Sequence, residues 1–176
     1  MIGNSSYEDS IDSRIKALVA LAPWGMEYNL WDMESLKGLK IPTLFIAGNK
    51  DDISGYEKGT KTIYEGVINS DRYLLTYENA RHNVAPNPAP IGALKKGLDI
   101  NEYLRYADSV WDQRRINNIN QHFITAFLGI KLKNKAEYLP YLDVAKIKIQ
   151  SQWEGFKPRT SVGLQLDYSP CLNLDR

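Results

Sequence analysis

The sequence has little cysteine, little histidine and no excess of charge, and each shortage excludes a class of protein. One cysteine, Cys171, is too few for an internal disulfide. Two histidines and one cysteine at these separations do not match the ligand spacing of a metal site, so no metal and no other cofactor is expected. The 22 basic and 21 acidic residues leave a net charge of +1, which gives no electrostatic footprint for nucleic acid.

Long apolar runs are also missing. No run approaches the about 18 residues of a membrane-spanning helix, so no transmembrane segment is expected. The first ten residues lack the basic and apolar regions of a signal peptide, and the compartment stays open. What is present is a chain of 176 residues, 43% hydrophobic, which is enough to bury the core of one domain.

Three short apolar runs predict strands that are buried on both faces. They are Ile15–Ala22, Ile41–Ala47 and Arg72–Tyr77, each bounded by turn-forming or polar residues. Between the last two, Gly55–Gly66 has apolar residues at helical spacing. A strand, a helix and a strand in this order form a right-handed crossover between parallel strands. The predicted fold class is therefore α/β.

The pattern becomes helical after Asp99. An apolar stripe at steps of three and four residues comprises Ile116, Ile119, Phe123, Ala126, Phe127 and Ile130. A shorter helical piece is predicted at Ala136–Leu142. Beyond it, alternation of polar and apolar residues in Lys146–Gln150 and Ser161–Leu166 predicts a small hairpin or strand-like tail.

The predicted organisation has three parts. Residues 1–13 form a loop or frayed lead-in, because they are rich in serine, asparagine and acids. Residues 14–145 form the main α/β portion, and residues 146–176 form the strand-like tail that packs on the same domain.

Asp51 and His82 are the candidate catalytic residues, because each stands just after a predicted strand. Loops that leave one sheet edge on neighbouring strands, about 4.8 Å apart, can bring an aspartate and an imidazole within hydrogen-bond reach. In a catalytic triad the acid fixes the tautomer of the histidine. The histidine then takes the proton of the nucleophile and returns it to the leaving group.

Other residues near this pattern have plainer explanations. Asp52 is expected to cap or solvate the turn, since aspartate favours turns for local hydrogen-bonding reasons. His122 lies within the helical stretch and is expected to pack or to hydrogen-bond there. The polar run Arg114–Asn120 could line a pocket or support the loop of His82, but a solvated or interhelical face is the favoured interpretation.

The nucleophile of such a triad is not found in the sequence. No Gly-x-Ser-x-Gly motif occurs, and Ser5 and Ser6 lack the second glycine, the preceding strand and the following helix of a nucleophile elbow. The chain is therefore expected to be a fragment, the later part of an enzyme.

Five segments together resemble the last third of an α/β-hydrolase. They are Ala20–Gly25, Gly48–Glu57, Asp71–Asn83, Trp111–Phe127 and Trp153–Arg159. More narrowly, they are similar to the bacterial proteins called predicted dienelactone hydrolases, and the likeness runs from residue 14 to about residue 166. It implies the C-terminal portion of an α/β-hydrolase fold, with three parallel strands and crossover helices, then helices and the tail.

The resemblance gives the candidate residues separate roles. By position, Asp51 is the triad acid and His82 the triad base, and the order Ser…Asp…His implies a nucleophile upstream of residue 1. The implied function is hydrolysis of a small ester or lactone by a Ser-His-Asp mechanism. An amide or thioester substrate stays open.

The alternative is a non-catalytic remnant or partner-binding domain of the same ancestry. It would associate through the sheet edge that the missing early strands leave uncovered. The chain by itself is expected to lack esterase activity and to fold poorly or associate.

Overall fold

The computed structural model describes residues 12–87, 92, 95, 97 and 99–172. The predicted lead-in, residues 1–13, therefore lies almost wholly outside the described residues. The elements in chain order are β1 (Leu18–Leu21), α1 (Met33–Leu36), β2 (Thr43–Gly48), a π-helical turn (Tyr56–Lys61), α2 (Thr62–Gly66), β3 (Arg72–Tyr77), α3 (Ile100–Leu104), α4 (Gln113–Lys133), a 3-10 helix (Ala136–Leu142), α5 (Val144–Gln150) and β4 (Leu164–Ser169).

The sheet has four strands in the order β1-β2-β3-β4. The first three are parallel, as predicted, with Leu18 beside Thr43 and Thr43 beside Arg72. The fourth strand is antiparallel and places Leu164 beside Tyr77. A mixed α/β fold with a mostly parallel sheet is therefore confirmed, consistent with part of an α/β-hydrolase fold.

Both faces of the sheet are covered, which explains why β2 is apolar along its whole length. All six residues of β2 are buried. Leu44 and Ile46 point to one side, into the larger core cluster that includes Phe123 and Phe127 of α4. Phe45 points to the other side and packs against Tyr64 of α2. The alternation of side chains along a strand divides the core in this way.

Helix α4 presents the predicted apolar stripe to the sheet. The side chains of Ile116, Ile119, Phe123, Ala126 and Phe127 are buried, and Ile130 is half-buried. The helix begins after Asp112, whose carboxylate accepts the backbone N–H of Arg115 at 3.0 Å. This N-cap satisfies one of the amides that have no partner inside the helix.

The predicted strand at Lys146–Gln150 is wrong, because these residues belong to helix α5. The carboxylate of Asp143 caps that helix by accepting the backbone N–H of Lys146 at 2.9 Å. Ile147 is buried and Ile149 is 82% exposed. The alternation therefore reflects a helix with one buried isoleucine. The second alternating segment, Ser161–Leu166, is a strand only from Leu164, where β4 begins. Its partner is β3, and within the described residues it forms no hairpin with Lys146–Gln150.

The outer edge of β1 has no partner strand within the described part of the chain. Large apolar side chains are exposed on or near it, including Ile15, Leu21 and Trp24.

Among the described residues, no helix combines the length and the apolar character needed to cross a membrane.

Candidate active site

Two loops leave the sheet at the carboxyl ends of β2 and β3. We call residues 49–54 the acid loop and residues 78–86 the base loop, because they contain Asp51 and His82. The loops are hydrogen-bonded to each other: Lys50 donates its backbone N–H to the carbonyl of Ala80 at 2.9 Å. Asn49 accepts the backbone N–H of Asn79 on its side-chain oxygen at 2.6 Å. The two loops therefore form one unit.

Gly48 makes this close approach possible. A Cβ at this position would collide with the backbone carbonyl oxygens of Ala80 and Arg81. Backbone atoms cannot swing aside as a flexible side chain can, so only glycine fits where the base loop crosses the end of β2.

The structure brings Asp51 and His82 into contact. The Nδ1 atom of His82 lies 3.2 Å from Oδ1 and 3.1 Å from Oδ2 of Asp51. Because a carboxylate only accepts hydrogen bonds, Nδ1 carries the proton that is donated to Asp51. The lone pair of the neutral imidazole is then on Nε2, which is the arrangement that a general base needs.

The acid loop fixes the carboxylate of Asp51. Its Oδ1 accepts the backbone N–H groups of Ile53 at 2.8 Å and Ser54 at 2.9 Å. The Asp51 side chain is fully buried, whereas that of His82 is 34% exposed. A buried carboxylate held by backbone donors is a fixed acceptor, and the imidazole is the member of the pair that solvent and ligands can reach.

The hydrogen bond to Asp51 raises the pKa of His82 above the ordinary value of 6.5. Partial burial opposes this rise, while the charges of Asp51 and Asp52 add to it. The imidazolium that forms when His82 takes a proton is therefore stabilised by its surroundings.

The sequence predicts only that Asp52 caps or solvates the turn, but its side chain also joins the two loops. Its carboxylate receives a two-pronged ion pair from Arg81, in which Nε donates to Oδ1 at 3.1 Å and Nη2 donates to Oδ2. The pair lowers the pKa of Asp52. A second bridge between the acid and base loops thus stands beside the Asp51–His82 contact.

A cavity of about 340 Å³ opens beside His82. Ile53 and Asn83 line it from the two loops, and Leu104 and Arg105 line it from the end of α3 and the residue after it. A larger depression of about 640 Å³ lies next to His122, but it is more open and does not include Asp51 or His82. Because His82 lines the smaller of these two cavities and not the larger one, the smaller cavity is the candidate binding site.

His122 lies apart from this site, in an aromatic pocket. Its ring contacts Phe123, Tyr141 and Phe156 with centroid distances of 5.0, 5.1 and 4.9 Å. Its Nε2 is buried and has no hydrogen-bond partner within the part of the chain that the structure describes, and burial lowers the pKa of the ring below 6.5. The packing role that the sequence analysis gave to this histidine is confirmed.

Two residues of the polar run Arg114–Asn120 support the base loop, which was the less favoured alternative. Three others, Arg114, Arg115 and Asn118, are exposed, as the favoured interpretation of a solvated face predicts. Asn120 is buried; its amide nitrogen donates to the carbonyl of Val84 at 2.7 Å and its oxygen accepts the hydroxyl of Tyr77 at 2.7 Å. Asn117 donates to the carbonyl of Pro86 at 3.0 Å. The sequence signal for these contacts was the presence of two asparagines, Asn117 and Asn120, in the helical stretch that carries the apolar stripe.

Metal binding gains no support from the geometry. Within the described residues, no group of three or more His, Cys, Asp or Glu side chains is placed to hold a metal ion.

Comparison with known protein families gives a match over much of the chain. The profile of a family described as PET hydrolase-like matches residues 2–110, which is more than half of the chain. The chain belongs to this PET hydrolase-like family. None of the curated proteins is a significant match.

Membership places the chain in the α/β-hydrolase superfamily and among ester hydrolases. The matched region contains both the acid loop and the base loop, whereas α4, α5 and β4 lie beyond it. The narrower likeness to dienelactone hydrolases is not specifically supported by this match. The catalytic roles of Asp51 and His82 stay predictions.

Proposed function

We propose that the protein is an ester or lactone hydrolase in which Asp51 is the acid and His82 the base of a Ser-His-Asp mechanism. The observation that supports this most strongly is the contact between Nδ1 of His82 and the buried carboxylate of Asp51 at 3.1 Å. Two polar residues 31 positions apart, on adjacent strand ends, form the orienting half of a triad. Family membership adds the class of reaction.

In the proposed reaction, Nε2 of His82 removes the proton from a serine hydroxyl as its oxygen bonds to the acyl carbon of the substrate. The imidazolium then gives this proton to the departing alkoxide, which leaves as an alcohol. Water, activated in the same way, hydrolyses the acyl-enzyme and regenerates the serine. Asp51 holds the imidazole throughout and stabilises its positive charge.

The nucleophile is proposed to come from outside these 176 residues. Ser54 is the described serine next to the pair, but its hydroxyl lies 3.4 Å from Nδ1, the nitrogen that faces Asp51, and it donates to the carbonyl of Ala22 at 2.8 Å. A nucleophile must face Nε2 instead. Ser5 and Ser6 lie outside the described residues.

The proposed substrate is a small ester or lactone, in line with the resemblance to dienelactone hydrolases. A cavity of about 340 Å³ beside His82 is at the lower end of the volumes that ligand pockets span. Its lining combines the apolar side chains of Ile53 and Leu104 with polar groups from Asn83 and Arg105. Such a lining suits a compact acyl compound with polar oxygens.

The test is a fluorophosphonate label on the complete protein, followed by mapping of the labelled serine. We expect a serine upstream of this chain in a Gly-x-Ser-x-Gly motif. Replacing His82 by alanine should lower ester turnover by about 10²- to 10⁴-fold, and His122→Phe is the matched control with near-normal turnover. Robust turnover of a p-nitrophenyl ester by the 176-residue chain alone would contradict the proposal that the nucleophile lies elsewhere.

A second candidate function is partner binding through the free edge of β1. The observation that favours it is that the outer edge of β1 pairs with no strand among the described residues and has exposed apolar residues nearby. An exposed edge can accept a strand from another chain. Absence of an in-frame strand and Gly-x-Ser-x-Gly motif in the DNA upstream would favour this candidate over the hydrolase.

A further inference from the structure

We propose that Asp108 is a positioning residue for His82, because its carboxylate holds the backbone of the base loop in the place where the imidazole reaches Asp51. The inference rests on the proposed role of His82 as the base. It assigns a function to a residue that lies 26 positions further along the chain, outside both loops.

Asp108 is buried and makes three hydrogen bonds to backbone amides. One carboxylate oxygen accepts the N–H of Arg81 at 2.7 Å. The other accepts the N–H groups of Val110 at 2.8 Å and Trp111 at 2.9 Å. Hydrogen bonds from backbone amides to a carboxylate are of the stronger, charge-assisted kind. The carboxylate thus joins the base loop to the segment that leads into α4.

The joined segment is itself docked on the base loop. The indole nitrogen of Trp111 donates to the carbonyl of Glu78 at 2.8 Å. Residues 108–111 therefore touch the base loop both at its beginning and immediately before His82. The hydrogen bond from Arg81 to Asp108 is the contact immediately before His82, so it has the most direct effect on the orientation of the histidine.

The residue after His82 is anchored to the same region. Asn83 donates its side-chain amide to the carbonyls of Leu104 at 2.5 Å and Ala107 at 3.2 Å. The backbone is thus tied down on both sides of His82, by Asp108 before it and by Asn83 after it. Since the His82 side chain is partly exposed, its direction depends strongly on these backbone anchors.

The consequence for catalysis follows from the sensitivity of proton transfer to distance. A displacement of about 1 Å in a catalytic group can cost about 100-fold in rate. Loss of the Arg81 anchor would let the base loop move and lengthen the contact between Nδ1 and Asp51. It would also leave a partly buried amide without its acceptor, which is destabilising.

The test compares two variants of the full 176-residue chain, Asp108→Asn and Asp108→Glu. Asparagine keeps the shape but has one acceptor oxygen, so it cannot serve both Arg81 and the Val110–Trp111 pair. Glutamate keeps the charge but shifts the carboxylate by one methylene. Positioning predicts that both variants disturb His82, whereas a simple effect of charge predicts a change in the asparagine variant alone.

The measurement is an NMR pH titration of the two imidazole rings, with His122→Phe used to assign the signals. We expect both Asp108 variants to lower the pKa of His82 towards the ordinary histidine value and to weaken the downfield signal of its Nδ1 proton. The signal of His122 should not move. In the complete enzyme, the same variants should lower kcat by about tenfold or more with little change in KM.

The matched control is Asp112→Ala, which removes another carboxylate that accepts a backbone amide nearby. It should cost stability as a lost helix N-cap, without any change in the pKa of His82. An unchanged His82 in both folded Asp108 variants, or a change in the asparagine variant alone, would overturn the proposal.

Hydrogen exchange on the unmodified chain provides a test that needs no variant. The Arg81 amide should exchange as slowly as the amides of β3, because Asp108 sequesters it. Exchange as fast as that of an exposed loop would also overturn the proposal. If His82→Ala left the complete enzyme fully active, the proposed function would fail, while the effect of Asp108 on His82 would still stand.

Discussion

The two histidines of this protein stand in opposite environments. His82 lies in a loop at the end of the sheet, is partly exposed, and faces a buried carboxylate that raises its pKa. His122 lies on a helix among Phe123, Tyr141 and Phe156, where burial lowers its pKa. The same side chain is thus prepared for proton transfer in one place and for packing in the other.

The neighbours of a histidine therefore decide its role. The Nδ1 atom of His82 has a carboxylate partner, whereas the buried Nε2 of His122 has no hydrogen-bond partner among the described residues. Helix α4 touches both regions: Asn120 supports the base loop, and His122 belongs to the aromatic pocket. Each of the five predictions that follow changes one of these two regions.

The largest effect is expected from Gly48→Ala, which attacks the His82 region. The new Cβ would collide with the carbonyls of Ala80 and Arg81, so the base loop must move. We expect a loss of about 3 kcal/mol in the free energy of unfolding, at the upper end of overpacking. Urea denaturation measures this loss, and the pKa of His82 should fall towards its ordinary value.

Gly155→Ala is the counterpart in the other region. Its Cβ would lie 2.7 Å from Cε1 of His122, and its φ of +80° disfavours a side chain. We expect a smaller loss of about 1–2 kcal/mol and a shift of the His122 signals alone. If either glycine variant moved both histidines equally, the separation of the two regions would be refuted.

The next effect is expected from Asn120→Ala, which removes the link from α4 to the base loop. It leaves the carbonyl of Val84 and the hydroxyl of Tyr77 without this partner in a buried place. The expected cost is about 2 kcal/mol, measured by thermal or urea unfolding. Asn118→Ala on the same helix is the control, and a cost as large in that variant would argue against the link.

A smaller effect concerns the dependence of stability on pH. The folded pKa of His82 is raised, so its contribution is fully present below pH 6.5 and is lost as the pH rises through the folded pKa. The folded pKa of His122 is lowered, so its charging destabilises the fold as the pH falls from 6.5.

His122→Phe separates these two contributions. Relative to the unmodified chain, the variant should gain stability as the pH falls below 6.5, because the loss due to His122 is removed. Urea midpoints measured across this range provide the comparison. A constant difference between the two proteins at every pH would exclude a folded-state pKa shift at His122.

The smallest effect is expected at the bridge between Asp52 and Arg81. Both side chains are about 40% exposed, so solvent screens their attraction. A double-mutant cycle with Asp52→Ala and Arg81→Ala should give a coupling of about 0.5 kcal/mol. A coupling of several kcal/mol would make this ion pair, rather than Gly48 and the backbone contacts, the principal connection between the loops.

The parts of the fold that could be predicted from the sequence depend on local pattern. Arg72–Tyr77 is a strand both in the sequence prediction and in the structure. The predicted apolar stripe of α4 also matches the structure, because its buried residues recur at helical spacing. The error at Lys146–Gln150 arose because alternation over five residues also fits a helix with few buried positions. The N-cap Asp143 was the signal that distinguishes the two.

The candidate site was predictable only in part, because only some of its residues follow a local sequence pattern. Asp51 and His82 follow strands, and strand order brings them to one edge. The supports of the base loop could not be inferred, because Asp108 and Asn120 reach it through tertiary packing across 27 and 36 residues. Nothing local distinguishes such residues from a helix cap or a solvated polar face.

The most direct test of the central claim is the NMR pH titration of both histidines in the unmodified chain and in Asp51→Asn. The account predicts that His82 titrates above 6.5 and His122 below it, and that Asp51→Asn lowers the pKa of His82 while leaving that of His122 in place. Coincident titrations in the unmodified chain, or a His82 that ignores the loss of the Asp51 charge, would contradict it.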